Sequence, residues 1–598
     1  MLGDDALGTN GEAVQEPAGS DTTPERPSIT YESLTFSDGT TVNLHPHDIV
    51  VFVGPNNAGK SEALRELEYH IGTRSKCTII PNVKLRKVGT SSEVLELVER
   101  ESQRTGSVSD NSIRLSGYGY TFETSAILNG WEHYLEQVRP FFCRRINTEH
   151  RITGSNSVAS FEVLLEPASH PIQILYTDNQ TEERISQYFK TAFDQDLIVF
   201  KVGGSSIPLL VGRRPLLQPD EDRTSSSYNQ RLIASTVRLE RQGDGMRSFA
   251  TVVLHTLTAQ SPSILLLDEP EAFLHPPQAR LLGEFLAKER PKHAQLFIAT
   301  HSPDVLTGLL NVAPANLRVV RIQRDGAVNR VKELDQEKAR EISNDPLMKY
   351  SSVLSGLFHQ RVVICESDAD CLFYQALLAQ PEVHDGPAPD VMFIHASGKH
   401  RMAALAEALR SVGVTVDVIA DVDIMNEQRP FERTARALGI NWDAVEPHWR
   451  SLKKAIEERK PWLDAKGVTK QIEAALAKVE EATEFPLEIK REIETALKKG
   501  SPWGAIKEAG DDAIPRGDPS KMMKILRRMC QQHGLWIVPV GELENFCKSI
   551  GNHGPKWVQT VIAERDLGKD PELAEARQFI KNVWSRVQAS GGNETVSN

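Results

Sequence analysis

Asp48-Ile-Val-Val-Phe-Val53 runs directly into Gly54-Pro-Asn56-Asn57-Ala-Gly59-Lys60-Ser61. The apolar, β-branched run predicts a buried strand, Gly54 breaks it, and helical spacing follows to about His70. The octapeptide satisfies G-x-x-x-x-G-K-[ST] in full and lies between a strand and a helix, the context its chemistry requires. Gly54, Asn56, Asn57 and Gly59 provide a loop whose backbone N–H groups can surround phosphates at a helix N-terminus. Lys60 brings positive charge to the β- and γ-phosphates, and the Ser61 hydroxyl is a magnesium ligand. The expected cofactors are therefore ATP and Mg²⁺.

The remainder of that site lies far along the chain. Ser263-Ile-Leu-Leu-Leu-Asp268-Glu269-Pro270 is an apolar strand ending in two acids. Asp268 can hold the magnesium shell and Glu269 can orient the attacking water. Strand Gln295–Ala299 leads into Thr300-His301-Ser302, which places His301 as a polar sensor of the γ-phosphate. Arg241-Gln-Gly243-Asp-Gly245-Met-Arg-Ser248 precedes a helix, and Gly245 and Ser248 are candidates to contact the ATP of a partner subunit.

These segments, with Asp268-Glu269-Pro270-Glu271 and Leu274-His275-Pro276, resemble the ATP-binding-cassette (ABC) ATPases of recombination and chromosome maintenance. The 243–248 segment departs from that group's Leu-Ser-Gly-Gly core. The resemblance implies that two heads sandwich ATP, that Leu274–Pro276 communicates between sites, and that the chain forms a homodimer or a tetramer of dimers.

A second acidic set begins past residue 360. Arg361-Val-Val-Ile-Cys365-Glu366 puts a carboxylate at a strand end, with Asp370 four residues on at a helix start. Thr415–Ala420 delivers Asp421 and Asp423, which point the same way if strand geometry persists. Carboxylates so placed repel one another unless a cation joins them, and Mg²⁺ or Mn²⁺ favours such oxygen ligands. Lys399, in Ser397-Gly-Lys-His400, can meet a phosphate, and Glu542-Leu-Glu544 after another strand can serve a second metal.

This set resembles the Toprim fold. ATPase first and Toprim second resembles the OLD (overcoming lysogenisation defect) family of ATP-dependent endonucleases, over about residues 29–560. The resemblance implies that Glu366, Asp370, Asp421, Asp423 and an acid of Glu542–Glu544 hold two divalent ions for DNA cleavage. It also implies Lys399 as a phosphate contact, a role in defence against bacteriophage, and in some members a helicase-like or reverse-transcriptase/noncoding-RNA partner. The rivals are an ATP-gated DNA-binding or clamp protein with a regulatory Toprim site, and a topoisomerase- or primase-like enzyme. The ten tyrosines offer no obvious nucleophile for a topoisomerase.

Composition bounds the rest. A chain of 598 residues needs several cores. Six scattered cysteines without a C-x-x-C pair fit reduced thiols in the cytoplasm. The start, MLGDDALGTN, has neither a basic nor an apolar leader segment, and no apolar run is long enough for a membrane span. The charge of −12 excludes a generally basic coat but not a local basic groove.

The expected class is α/β. Residues 1–28 read as a disordered tail. Residues 29–345 read as an ABC-type P-loop ATPase with a helical dimerisation insertion at about 130–235. Residues 346–598 read as a Rossmann-like Toprim domain with a helical insertion at about 425–530. Within this, 161–177 reads as strand, 211–235 as a loop or hinge, and 321–360 as a charged connector.

Overall fold

The structure is a computed structural model. It describes residues 26–586 except 73–75, 106–113, 118–119, 167, 259–261, 313–315, 335–353, 385–387, 459–464, 480–484, 500 and 552. Most of the expected N-terminal tail, residues 1–25, lies outside the described residues.

The first half is organised by a six-stranded sheet. Its order is Val328–Leu334, Leu317–Asp325, Ile49–Val53, Gln295–Ala299, Ile264–Asp268 and Cys143–Ile146. All neighbours are parallel except the edge hairpin 317–334. Ile49–Val53 and Gln295–Ala299 are buried along their whole length, as expected of strands with both faces covered by helices. Helices Lys60–His70, Asp244–Leu257, Pro276–Glu289 and Pro303–Val312 follow the strands or pack on the sheet.

The second half carries a four-stranded parallel sheet, in the order Val391–His395, Arg361–Cys365, Thr415–Ala420 and Leu535–Ile537. Helices Asp368–Leu378 and Met402–Ser411 cross between its strands. A mostly helical stretch, 428–532, intervenes before its last strand.

Several expectations need correction. Cys143–Ile146 pairs with Ile264–Leu267, so the start of the supposed dimerisation insertion builds the ATPase sheet itself. Pro171–Thr177 is a helix with proline in its first turn and His170 as cap, where a strand was expected. Ser226–Ser235 is a helix within the expected loop 211–235. The start of the expected connector, 321–334, belongs to the edge hairpin. Val328–Leu334 is the edge strand, with exposed residues alternating with more buried ones, and its charge disguised the hairpin as a linker.

The two sheets are tied at this hairpin. Arg321 is 4% exposed. Its guanidinium donates to the carbonyls of Leu357 at 3.2 Å, His359 at 2.9 Å and Gly413 at 2.8 Å.

Candidate functional site

Parallel register carries three loops of the first sheet to one edge. Asp268 pairs with Ala299, and Ala299 with Phe52, so Gly54, Glu269 and Thr300 emerge side by side. Gly54 has φ +143°, and a Cβ there would lie 2.0 Å from the Ile322 carbonyl oxygen. No side chain fits between the phosphate-loop backbone and the neighbouring strand. Asn56 and Asn57 are exposed on the loop, and Ser61 sits in the first turn of the following helix.

Lys60 is 3% exposed and its ammonium donates to the carbonyls of Gly54 at 2.7 Å and Pro55 at 2.8 Å. Burial pulls its pKa down to about 8, against the opposing field of Glu269 and Glu271. The loop carbonyls stand where phosphate oxygens would compete for the same protons. Asp268 Oδ1 is buried with no hydrogen-bond partner among the described residues. An orphaned carboxylate oxygen beside this loop fits a magnesium–nucleotide ligand.

His301 Nε2 lies 3.2 Å from Glu269 Oε1, and this hydrogen bond holds the Glu269 carboxyl below its usual range. Glu269 itself has φ +47°, a left-handed conformation uncommon for a side-chain-bearing residue and often found at functional sites. Glu271 accepts from Thr300 Oγ1 at 2.7 Å and His301 N at 2.9 Å, fixing the His301 backbone from below. Burial raises its pKa.

Arg151 escaped the sequence reading. It follows strand Cys143–Ile146 on helix Thr148–Thr153, is fully buried, and among the described residues its Nε and Nη1 have no partner. Burial lowers its pKa, while the negative field of Glu271, Glu269 and Asp268 raises it. A buried guanidinium with spare donors beside these acids can meet phosphate oxygens. The strand–turn–helix context after residue 143 was its only sequence signal, and that strand is too short to stand out.

Gly245 packs against the turn after Glu269, where a Cβ would lie 2.6 Å from the Phe273 carbonyl oxygen. Ser248 is fully buried within helix Asp244–Leu257, and its hydroxyl has no hydrogen-bond partner among the described residues. In a single chain it faces the core, so Gly243–Gly245 is the part of this segment open to a neighbour.

The second sheet converges its acids in the same manner. Ligand atoms of Glu366, Asp421 and Asp423 lie within 4.8 Å of one another. A second group, Glu542, Glu544 and His553, meets the same limit. The strand ends at Ala420, and Asp423 reaches the site from the 3₁₀ turn Val422–Asn426, not by strand alternation. Val422 N donates to the Gly541 carbonyl at 3.0 Å, which joins the two acid-bearing loops. Burial raises the pKa of Glu366, with Asp423 adding to it, and burial likewise raises Asp421.

Asp370 belongs to neither group. It caps its own helix, accepting from Ser367 N at 2.8 Å, and burial raises its pKa with a further contribution from Glu544. Lys399 Nζ lies 2.9 Å from Glu427 and 3.7 Å from Asp423 Oδ2, at the border of the first group.

Lys507 is the unforeseen member. From helix Pro502–Ala509 in the 425–530 insertion, its ammonium reaches Asp421 at 3.2 Å, Asp423 at 3.6 Å and Glu542 at 3.8 Å. Burial opposes its charge, but these carboxylates outweigh burial and raise its pKa. Asn545 Nδ2 donates to the Lys507 carbonyl at 2.9 Å. Gly541, at φ +99°, lets that helix approach: a Cβ there would sit 2.3 Å from the same carbonyl oxygen. The Gly541-Glu-Leu-Glu-Asn545 segment therefore both supplies acids and seats the lysine.

Clustered oxygens that need an ammonium to coexist, with Asp423 Oδ1 buried and without a hydrogen-bond partner among the described residues, fit a divalent cation.

A P-loop ATPase sheet followed by a Toprim sheet defines the class. Residues 49–307 match the family "AAA domain, putative AbiEii toxin, Type IV TA system". Residues 357–423 match "Overcoming lysogenization defect protein-like, TOPRIM domain". The Old nuclease of Escherichia phage P2 is 22% identical over 173 residues, which is 28% of this chain and 29% of that protein. The chain thus aligns with under a third of that curated relative's length. Similar solved structures include an SmcHead bound to the C-winged helix domain of ScpA, 14% identical, covering 53% of this chain and 100% of that one, with TM-score 0.32. The SMC head domain from Thermotoga maritima is 12% identical, covering 52% and 99%, with TM-score 0.28. The two family matches, in this order on one chain, support an ATPase–Toprim protein similar to the OLD family. Its two domains imply use of a nucleotide and a divalent metal. No helix among the described residues is long and apolar enough to cross a membrane.

Proposed function

We propose that this chain binds and hydrolyses ATP and cleaves DNA in a divalent-metal-dependent reaction, under control of paired ATPase heads. The observation that carries the reading is the convergence of Glu366, Asp421 and Asp423 at the carboxyl edge of a parallel sheet, beside Glu542 and Glu544. In the working division, 29–345 is the ATPase and 346–598 the Toprim nuclease.

In the ATPase, Lys60 and the 54–61 loop bind phosphates, Ser61 and Asp268 hold magnesium, and Glu269 orients water. His301 holds Glu269 in place. In the nuclease, Glu366, Asp421 and Asp423 form one metal site, and Glu542 with Glu544 another, with Asp370 behind them. A divalent cation bound there supplies Lewis acidity toward water and a phosphate oxygen, with Mg²⁺ or Mn²⁺ fitting the oxygen donors. Lys399 and Lys507 provide cationic charge for a phosphodiester at its border. Self-association follows from the split nucleotide site, with Gly245 offered to a second head, as a homodimer or a tetramer of dimers. Reduced thiols and an ATP requirement fit a cytoplasmic protein, and the family fits anti-phage defence with or without a helicase-like or reverse-transcriptase/noncoding-RNA partner.

The test is incubation of purified protein with supercoiled and linear DNA while Mg²⁺, Mn²⁺ and ATP are varied independently. Metal-dependent nicking is expected. If no DNA is cut across these conditions, an ATP-gated DNA-binding protein becomes the better reading. That alternative draws on Lys507, which already balances the carboxylates without a metal.

A further inference from the structure

The cleft between the edge hairpin 317–334 and the amino edge of the second sheet has a volume of about 760 Å³. Seven of its sixteen lining residues are Arg or Lys and one, Asp325, is acidic. On a chain of net charge −12 this is a concentrated reversal of sign.

Part of this charge is neutralised, since Arg330 pairs with Asp325 at 2.7 Å. Lys332 Nζ donates to the Arg410 carbonyl at 3.1 Å, and the charge of Arg321, Arg361 and Arg410 is met mainly by neutral oxygens. Arg321 is 4% exposed, yet every acceptor on its guanidinium is a neutral oxygen: three carbonyls and the Gln323 amide at 2.6 Å. Arg361 donates to the carbonyls of Val583, Trp584 and Arg586 at 2.7–2.8 Å. It and Arg586 share one buried carboxylate, Asp417, at 3.6 and 2.8 Å. Arg410 donates to the Ala437 carbonyl at 2.8 Å and no ion pair forms on it among the described residues. Carbonyls orient guanidinium groups without cancelling their charge. Uncompensated charge in a low-dielectric concavity is costly and attracts anions strongly.

Arg324 and Lys332 stand on the hairpin wall, and Arg361 and Arg410 on the other. No glycine loop or helix N-terminus of the cleft gathers several N–H groups around one phosphate. Charges distributed along two walls suit successive phosphates of an extended chain better than one compact anion. Trp584 adds an indole to the wall.

The site is separate from the carboxylates. Arg361 and Thr415 begin the strands whose far ends lead to Glu366 and Asp421. The two edges are therefore on the order of 20 Å apart, at roughly 3.3 Å per residue.

We propose that this interdomain cleft binds the phosphate backbone of a nucleic-acid strand, as a docking site at the opposite end of the second sheet from the Toprim carboxylates. It does not require the nuclease reading, because binding is measured without metal and without cleavage.

The test uses full-length protein in EDTA, with a fluorescein-labelled single strand followed by anisotropy between 50 and 200 mM salt. Arg324→Glu/Lys332→Glu should bind at least about tenfold more weakly. The slope of log affinity against log salt should flatten by about 1.4, for two lost contacts at roughly 0.7 each. Arg324→Gln/Lys332→Gln should show the same trend with a smaller loss. ATP turnover and melting temperature should match wild type in both. Equal affinity and slope in wild type and both variants would overturn the proposal. So would sodium tripolyphosphate binding that the variants lose while strand binding is unchanged, since that assigns the cleft to a free oligophosphate.

Discussion

The two carboxyl edges solve one problem in different ways. At the ATPase edge, like-charged Asp268, Glu269 and Glu271 are held apart by backbone geometry and by His301, Thr300 and the buried Arg151. Each partner lies within a short walk of a sheet strand. At the Toprim edge, Asp421, Asp423 and Glu542 are balanced by Lys507, carried on a helix inserted between the last two strands of the sheet. The first site keeps its counter-charge within the sheet fold. The second borrows it from an insertion, so its resting charge balance depends on how that insertion docks.

The strongest break in this comparison is chemical separation of the edges. Asp421→Ala/Asp423→Ala should lower metal-dependent plasmid nicking by about a thousandfold or more, since two of the three carboxylates of a shared cation site vanish. ATP hydrolysis measured on the same preparation should stay within about twofold. Cutting by the double variant at the wild-type rate would place the nuclease centre elsewhere.

Glu269→Gln isolates the other edge. It should reduce ATP turnover by about a hundredfold or more, the usual scale for a lost general base. Nucleotide affinity should change little, because the water is oriented mainly for the transition state. Retention of full turnover would remove Glu269 from its role.

Lys507→Ala sharpens the contrast without measuring catalysis. Removing the ammonium leaves the carboxylates unbalanced and should cost roughly a few kcal/mol in chelator, read as a drop of several degrees in melting temperature. Mn²⁺ should restore more stability to the variant than to wild type, and bind it about tenfold more tightly. An unchanged melting temperature, or weaker Mn²⁺ binding measured by calorimetry, contradicts the counter-ion assignment.

The smallest effect lies beneath the ATPase sheet, where His150 and His170 both pack edge-on against His255 near Arg144. Burial, then the Arg144 and His150 charges, lowers His170 to about 4. Below about pH 6.5 the unfolded chain takes up a proton that the folded imidazole refuses, so stability falls with pH down to about 4. His170→Gln should flatten the decline in melting temperature between pH 7 and 5 by a degree or two. A steeper decline in the variant would refute the sign.

Legibility followed the length scale of each signal. Gly54–Ser61, Asp268-Glu269 and the strand that delivers Glu366 were readable because their chemistry is contiguous and bounded by uniform apolar strands. The helix start that carries Asp370 was readable as well, and the structure shows Ser367 and Asp370 forming a capping box there. The hairpin 317–334 was obscure because an edge strand exposes charge, and Pro171–Thr177 because β-branched composition outweighed a proline helix start. Ser248 looked like a surface contact only while the helix face it occupies was unknown.

By itself the sequence determined the two domain classes, the phosphate loop, the acids at the strand ends and their order along the chain. These depend on local periodicity and short spacing, which the chain carries wherever it folds. Only the tertiary structure decided that Lys507 enters the Toprim acids, that a buried Arg151 lies in the field of the ATPase acids, and that seven cations line one interdomain cleft. Those juxtapositions join segments separated by tens to hundreds of residues. The physical reason is that charge balance in a buried site is set by distance through space and by desolvation, and neither is encoded by the identity of adjacent residues.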